Sequence, residues 1–213
     1  MDLLAHGLWT VVAARSGERL VRRQVKEKFS FRLRTRWAVF WGMFPDLFAF
    51  SGLSVWFVLQ ILRGVALGEL PHPSDFEPAQ ADTIAIFRLT NALYQLSHSL
   101  LVFGTVFLLI LVLRQKASWE MLGWVFHISI DVFTHSYAKY PTPILWPLSS
   151  WKFDGIYWGT PWFLALNYSV LLATYAFLYR RKLRRVAITL GKAWALRFRA
   201  RPVRVRDVGG GSS

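Results

Sequence analysis

Four stretches of this chain have the length and apolar character of membrane-spanning segments, and that leaves few folds open to it. A helix needs about 20 apolar residues to cross the hydrocarbon core. Trp37 to Leu62 carries one charge, Asp46, and Ile84 to Leu113 carries one, Arg88. Trp119 to Tyr137 is apolar apart from Glu120, His127, Asp131 and His135, and Trp162 to Tyr179 has no charge at all. Backbone groups in lipid must be satisfied within the protein, so helices are the expected form. Asp2 to Ala14 is apolar but too short to cross, and reads as a half-length helix inserted into the bundle. It has no basic n-region and no A-x-A site, which speaks against a cleavable signal peptide. The expected fold class is all-α: a polytopic membrane helix bundle of one N-terminal half-helix, four transmembrane helices and a cytoplasmic, amphipathic, basic C-terminal helix.

Charge fixes the expected orientation. The 213 residues carry a formal net charge of +14, yet 54% are hydrophobic, a pairing foreign to disordered basic tails and to most soluble nucleic-acid binders. Twenty of the 26 Lys and Arg lie in two segments, 15–36 and the stretch after Tyr179, and both should be cytoplasmic. The loop from Gly64 to Thr83 has four acidic residues and no Lys or Arg, so it reads as outside; strict alternation then also puts Ala138 to Thr160 outside. Tyr140, Trp146, Trp151, Tyr157 and Trp158 give that segment the aromatic content of an interfacial belt. The setting this implies is a bacterial-type inner membrane, with the C-terminus cytoplasmic.

The division expected is residues 1–180 as the membrane helical domain, 181–208 as the basic tail, and 209–213 (GGGSS) as a linker scar. In the tail, Leu183, Val186, Ala187, Leu190 and Trp194 share one helical face and the other face is basic, which suits a helix on the anionic inner leaflet. Positive-inside bias accounts for this charge more simply than nucleic-acid binding does. Local signals mark the helix ends: Asp82 and Ser118 as N-caps, and Thr160-Pro161 as a cap followed by a first-turn proline. Pro45 must kink or break its span and free backbone carbonyls, which points to an internal polar site.

Four of the five histidines, His6, His98, His127 and His135, fall in apolar segments together with Asp46 and Asp131. Each ionisable residue at membrane depth costs about 2.5–3.5 kcal/mol, so these groups must meet one another, a metal or water. His127, Asp131 and His135 are spaced i, i+4 and i+8, on one face of one helix. Counting a rise of about 1.5 Å per residue from the inner ends puts His6, Asp46, His98, His127 and Asp131 between roughly 12 and 22 Å deep, near one layer. Imidazole and carboxylate donors from several helices at one level form a bundle metal site. There is no cysteine, so thiolate sites and Cys nucleophiles are excluded. Zinc then leads, in one or two ions, with manganese or iron as alternatives. A proton relay or a purely structural polar network would use the same residues.

The run from Leu122 through His127 and Asp131 to Thr134, followed by Ile144-Leu145-Trp146-Pro147, resembles the YdjM-type family of bacterial inner-membrane, predicted metal-dependent hydrolases. The resemblance extends to Ala5-His6-Gly7, Phe44-Pro45-Asp46 and Ser97-His98-Ser99-Leu100-Leu101, in the family's order, covering most of the chain up to Pro147. Phe48 stands where the family often has a second acidic residue, Leu93-Tyr94-Gln95 replaces a His-Arg pair, and His135 replaces a proline. The resemblance implies a fold related to the helical zinc-dependent phospholipase C and P1-nuclease group, and phosphoester hydrolysis. The reading that results is metal-assisted hydrolysis of a small or lipid-like ester or phosphoester. Its metal ligands would be His6, Asp46, His98, His127, Asp131 and His135, with Asp46 and Asp131 catalytic. The alternatives are a proton-coupled transporter or channel, and a structural membrane protein.

Overall fold

The computed structural model describes residues 1–24, 33–71 and 84–199. The Asp82 cap, much of the acidic loop, part of the first basic segment and the Gly209–Ser213 run lie outside the described residues. Six α-helices carry the fold: α1 Leu3–Gln24, α2 Thr35–Leu62, α3 Ala85–Ser97, α4 Leu100–Arg114, α5 Leu122–Thr134 and α6 Pro161–Arg199. Among the described residues there is no β-strand, so the all-α expectation holds. By length and composition, α2 and Pro161–Lys182 of α6 can each cross a membrane, and α3 with α4 makes a third candidate if that bent pair is one span.

Three expected elements differ from what is observed. α1 runs to Gln24 instead of stopping near Ala14. The residues past Ala14 include Arg and Glu, which are good helix formers, and no proline, and Glu18 pairs with Arg22 at 2.7 Å one turn on. The stretch Ile84–Leu113 is not one rod, because α3 and α4 meet at 65° around His98-Ser99. Ser99 caps α4, its Oγ accepting from the Leu101 and Val102 N–H groups and donating to Trp146 O. The third difference is the fourth expected span. Ser118 precedes a 3₁₀ turn at Trp119–Met121, without a side-chain cap, and the 13-residue α5 follows. At about 1.5 Å per residue α5 is about 20 Å long, short of the hydrocarbon thickness. It stops because the returning chain takes its last carbonyls: Ile156 N–H donates to Phe133 O at 2.9 Å, Trp158 N–H to Thr134 O at 3.0 Å, and Gly155 N–H to His135 O at 2.8 Å. His135 is therefore in extended backbone just past α5, not on its i+8 face. Pro161 does open α6.

The chain forms two compact units, Met1–Leu171 and Leu172–Ser213. In the first, α1, α2 and α5 approach closely because small residues line the contacts. α2 buries Ala38, Gly42, Pro45, Ala49 and Leu53, a stripe at helical spacing. A Cβ on Gly42 would lie 2.1 Å from Thr10 Oγ1, and one on Gly123 would lie 2.3 Å from Ala38 O. Without those side chains the backbones of α1 and α5 can press against α2. Aromatic rings pack around this seam, with Trp41 stacked on Trp124 at 5.9 Å and Phe44 edge-on to Trp124 at 4.9 Å. Trp9 Nε1–H donates to Asn167 Oδ1 at 2.8 Å and Tyr168 O–H to Asp2 Oδ1 at 2.8 Å, tying the start of α6 to α1. In the second unit the helix exposes Val186, Ala187, Leu190 and Trp194, four of the five residues expected on its apolar face, and Arg180 lies over the Phe177 ring at 4.3 Å.

Candidate metal centre

The close seam between α2 and α5 sets the first half of the site. Gly123 lets α5 touch the α2 backbone, and one turn later His127 reaches across to it. Pro45 has no N–H to offer the carbonyl four residues back, so the α2 ladder is interrupted at this level. His127 Nδ1–H donates to the Gly42 carbonyl at 2.8 Å. The α3–α4 break sets the second half. His98 sits at the corner, and its Nδ1–H donates to Tyr94 O at 3.1 Å with Ser97 Oγ at 3.0 Å. Tyr94 stacks on the His98 ring at 3.8 Å. The freed Ser97 carbonyl accepts from Trp124 Nε1–H at 2.5 Å.

A carbonyl can only accept, so in both neutral rings the proton is on Nδ1 and the lone pair is on Nε2. The two Nε2 atoms face each other at 3.1 Å. Asp131 Oδ2 lies 3.0 Å from His127 Nε2 and 3.3 Å from His98 Nε2, and Asp46 Oδ1 lies 3.6 Å from each. With both rings neutral, four acceptor atoms converge, all within 4.8 Å of one another. His98, His127 and Asp131 are fully buried, and Asp131 Oδ2 accepts no hydrogen bond. Packing lone pairs against lone pairs out of water is unfavourable unless a cation joins them.

The spacings meet that need. Metal bonds to imidazole and carboxylate run about 2.0–2.2 Å, and a tetrahedron with such bonds has edges of about 3.4 Å. Five of the six donor separations run from 3.0 to 3.6 Å and bracket that edge, and the whole set lies within 4.8 Å. The buried group Asp46, His98, His127 and Asp131 can therefore hold a metal ion. The Nδ1–H to carbonyl bonds are the outer contacts that fix ring orientation and tautomer in such sites.

Of the six residues expected as ligands, the structure brings these four together and sets the other two beside them. His6 is fully buried, stacked on His127 at 3.6 Å, with Nε2 2.9 Å from Asp131 Oδ1 but outside hydrogen-bond geometry. His135 spends its Nδ1–H on the Asp131 carbonyl at 3.2 Å, and that nitrogen is 3.5 Å from Asp131 Oδ1. Asp131 Oδ1 also accepts from the Met1 amine at 2.5 Å. The sequence reading did not assign Gly42, Tyr94 or Ser97 their supporting roles. The Ser-His-Ser triplet ahead of an apolar run was a cap signal for the break; nothing marked Gly42 O as an imidazole partner except its place three residues before Pro45.

A cavity of about 530 Å³ reaches the centre. Asp46 and His135 line it, with walls that include Phe50, Tyr94, Tyr140 and Trp158. Asp46, with 15% of its side chain exposed, is the member of the four-residue group that faces this space. All-helical architecture and a buried His/Asp group fit to hold a cation define the class this chain falls in. No family model, no curated protein and no solved structure matches it.

Proposed function

We propose that this chain is a membrane-embedded metal-dependent hydrolase, acting with zinc on a lipid-like ester or phosphoester. The observation that carries the reading is the meeting of two imidazole Nε2 atoms and two carboxylate oxygens within 4.8 Å, five of the six pairs near tetrahedral spacing, with both Nδ1 atoms against carbonyls. Asp46, His98, His127 and Asp131 hold the ion, and His6 and His135 border it. A bound divalent ion supplies Lewis acidity toward the ester oxygen and makes water a competent nucleophile near neutral pH. The protein's own part is positional. Asp46 is the ligand that lines the cavity, so it is the one that would yield its place on the ion to water and take that water's proton. The aromatic walls exclude bulk water and accommodate an apolar chain.

The same backbone contacts disfavour a proton relay. The His127 imidazole ends on a backbone carbonyl, which accepts a proton's hydrogen bond but does not pass the proton on, and His98 Nδ1 meets a carbonyl and the Ser97 hydroxyl. Charge supports four crossings even though α5 is short. With three, the basic segments at the two ends of the bundle would fall on opposite sides of the membrane, against the positive-inside bias. α5 crosses as a helix wrapped by its neighbours, seven of its 13 residues buried. The basic segments then face the cytoplasm of a bacterial-type inner membrane.

The test is metal analysis of protein purified from zinc-replete cells, paired with hydrolysis of a panel of carboxylic and phosphate esters. About one or two equivalents of zinc, and turnover that Asp131→Asn abolishes, are expected. Wild type without metal, or Asp131→Asn with undiminished turnover, would sink the reading.

A further inference from the structure

The cavity beside the centre is elongated along α2. Asp46, Phe50, Leu53 and Phe57 all line it, and their i, i+4, i+7, i+11 spacing makes them one stripe of the helix. At about 1.5 Å per residue that stripe is about 16 Å long, with the ion-holding group at one end and apolar side chains along the rest. Leu47, Ser51 and Ser54 form the adjacent stripe; they also line the cavity, and they are exposed. The cavity is therefore open along this side of α2. Leu47 lies 12 residues from Thr35 and Ser54 eight from Leu62, so the opening stands at least about 12 Å from either end of the helix. α2 has 28 residues, about 42 Å, against a hydrocarbon layer of about 30 Å, which leaves the opening facing acyl chains instead of water. The polar rim suits that setting, since Ser54 Oγ–H is spent on Phe50 O at 2.9 Å within its own helix.

We infer that this cavity takes a lipid sideways from the bilayer, with the lipid's ester group at Asp46 and an acyl chain lying along Phe50, Leu53 and Phe57. A chain gains no hydrophobic free energy in passing from lipid to the cavity, because both are apolar. It is held by dispersion contact with the rings of Phe50, Tyr140 and Trp158 and by its polar end at the centre. The substrate class narrows accordingly, from esters in general to esters that partition into the bilayer. The inference rests on the hydrolase reading only in making this lipid a substrate; the lateral entry and the place of the chain stand without it.

Photolabelling in the membrane tests the placement. The full chain is reconstituted into vesicles of zwitterionic phospholipid containing a small fraction of dodecanoyl lysophosphatidylcholine, with a diazirine either at the chain end or beside the ester. After irradiation, adducts are mapped by mass spectrometry. Leu108 and Val112 of α4, exposed and outside the cavity, give the bulk-lipid reference. A cavity holds a chain longer than passing lipid contact does, so the chain-end probe is expected on Leu53 and Phe57 at about five times the reference. The near-ester probe is expected on Asp46 and Phe50. A butanoyl analogue supplied from water should label the stripe only at the reference level. Ser51→Trp puts a large ring in the opening and should cut the stripe adducts about fivefold. Val58→Trp, on an exposed residue of α2 that does not line the cavity, should leave them unchanged. The inference is overturned if Leu53 and Phe57 label no more than α4, if the butanoyl analogue labels as well as the dodecanoyl lipid, or if Ser51→Trp has no effect. Zinc content and ester turnover of the same vesicles separate the two proposals. Stripe adducts without zinc or turnover remove the hydrolase and leave the lipid site; turnover without stripe adducts does the reverse.

Discussion

Gly123→Ala tests whether the close contact of α2 and α5 is what assembles the centre. The added Cβ would lie 2.3 Å from Ala38 O and 2.9 Å from Gly42 N, where ordinary contact begins at 3.4 Å. Both neighbours are backbone atoms, so no side-chain rotation relieves the clash, and α5 must retreat by about 1.1 Å, the difference between 2.3 and 3.4 Å. His127 is one turn along the same helix and moves with it. A retreat of that size stretches the His127 Nδ1–Gly42 O bond from 2.8 Å beyond hydrogen-bonding range. It also displaces Nε2 by several times the roughly 0.2 Å tolerance of a metal bond. Overpacking alone costs about 1–3 kcal/mol, and loss of the outer contact on a ligand costs about 10–100-fold in metal affinity. The variant should therefore bind zinc at least about tenfold more weakly in a chelator competition and unfold at a lower temperature. Gly104→Ala is the control: nothing lies within 4 Å of its Cβ, and in a helix the change is neutral or stabilising. Zinc affinity in Gly123→Ala equal to wild type would refute the account of how the site is built.

Other outcomes follow from the same contacts. Asp131→Asn and His127→Ala should each lose most bound metal, and the double variant should be little worse, because the ligands act as one unit; metal analysis of the three proteins decides it. Asp154→Ala removes the acceptor of Tyr137 N–H in an exposed loop and should leave metal content unchanged. Acid should release the ion as the Nε2 lone pairs are protonated, so metal retained after dialysis should fall as pH drops below the imidazole range and recover when it rises. A cysteine introduced at Ser74 should react only from the outside face in this Cys-free chain, and labelling from the cytoplasm alone would invert the topology.

The apolar runs, the Lys/Arg asymmetry and the intramembrane His and Asp residues were legible because each is a composition signal over a window. The convergence of Asp46, His98, His127 and Asp131 was legible because uncompensated ionisable groups in lipid have few alternatives. Helix lengths were less so. Nothing in Ala14-Arg15-Ser16 ends a helix, and hydropathy changes there without the backbone changing, so α1 continued to Gln24. The end of α5 at Thr134 is set by donors more than 20 residues later, at Gly155, Ile156 and Trp158, a tertiary effect no local pattern announces. The same displacement took His135 off the ligand face on which i+8 spacing had put it.

The irregular points of the backbone lie close to the centre. A carbonyl carries two lone pairs, so one already used in a helix ladder can take a second donor from an imidazole. Two neutral imidazoles whose lone pairs are to face a cation need acceptors for their Nδ1–H groups, deep in an apolar bundle where water is scarce. His127 finds its acceptor at Gly42 O, as a second donor to that carbonyl, one residue after Trp41 O, which Pro45 leaves without a ladder N–H. His98 finds its acceptor at Tyr94 O, which also takes the His98 backbone N–H at 2.9 Å, in the last turn of α3. Trp124 and Ser99 take up the backbone and loop contacts around that corner, at Ser97 O and Trp146 O. The proline in α2, the broken α3–α4 pair and the short α5 thus surround one polar centre, whose imidazoles take their backbone acceptors from α2 and α3. Replacing Pro45 by alanine would restore the missing N–H to the ladder and strengthen α2 as a helix. The restored N–H would meet Trp41 O and leave Gly42 O to His127, so zinc affinity should stay near wild type while the unfolding temperature rises, and a loss of zinc would refute that account.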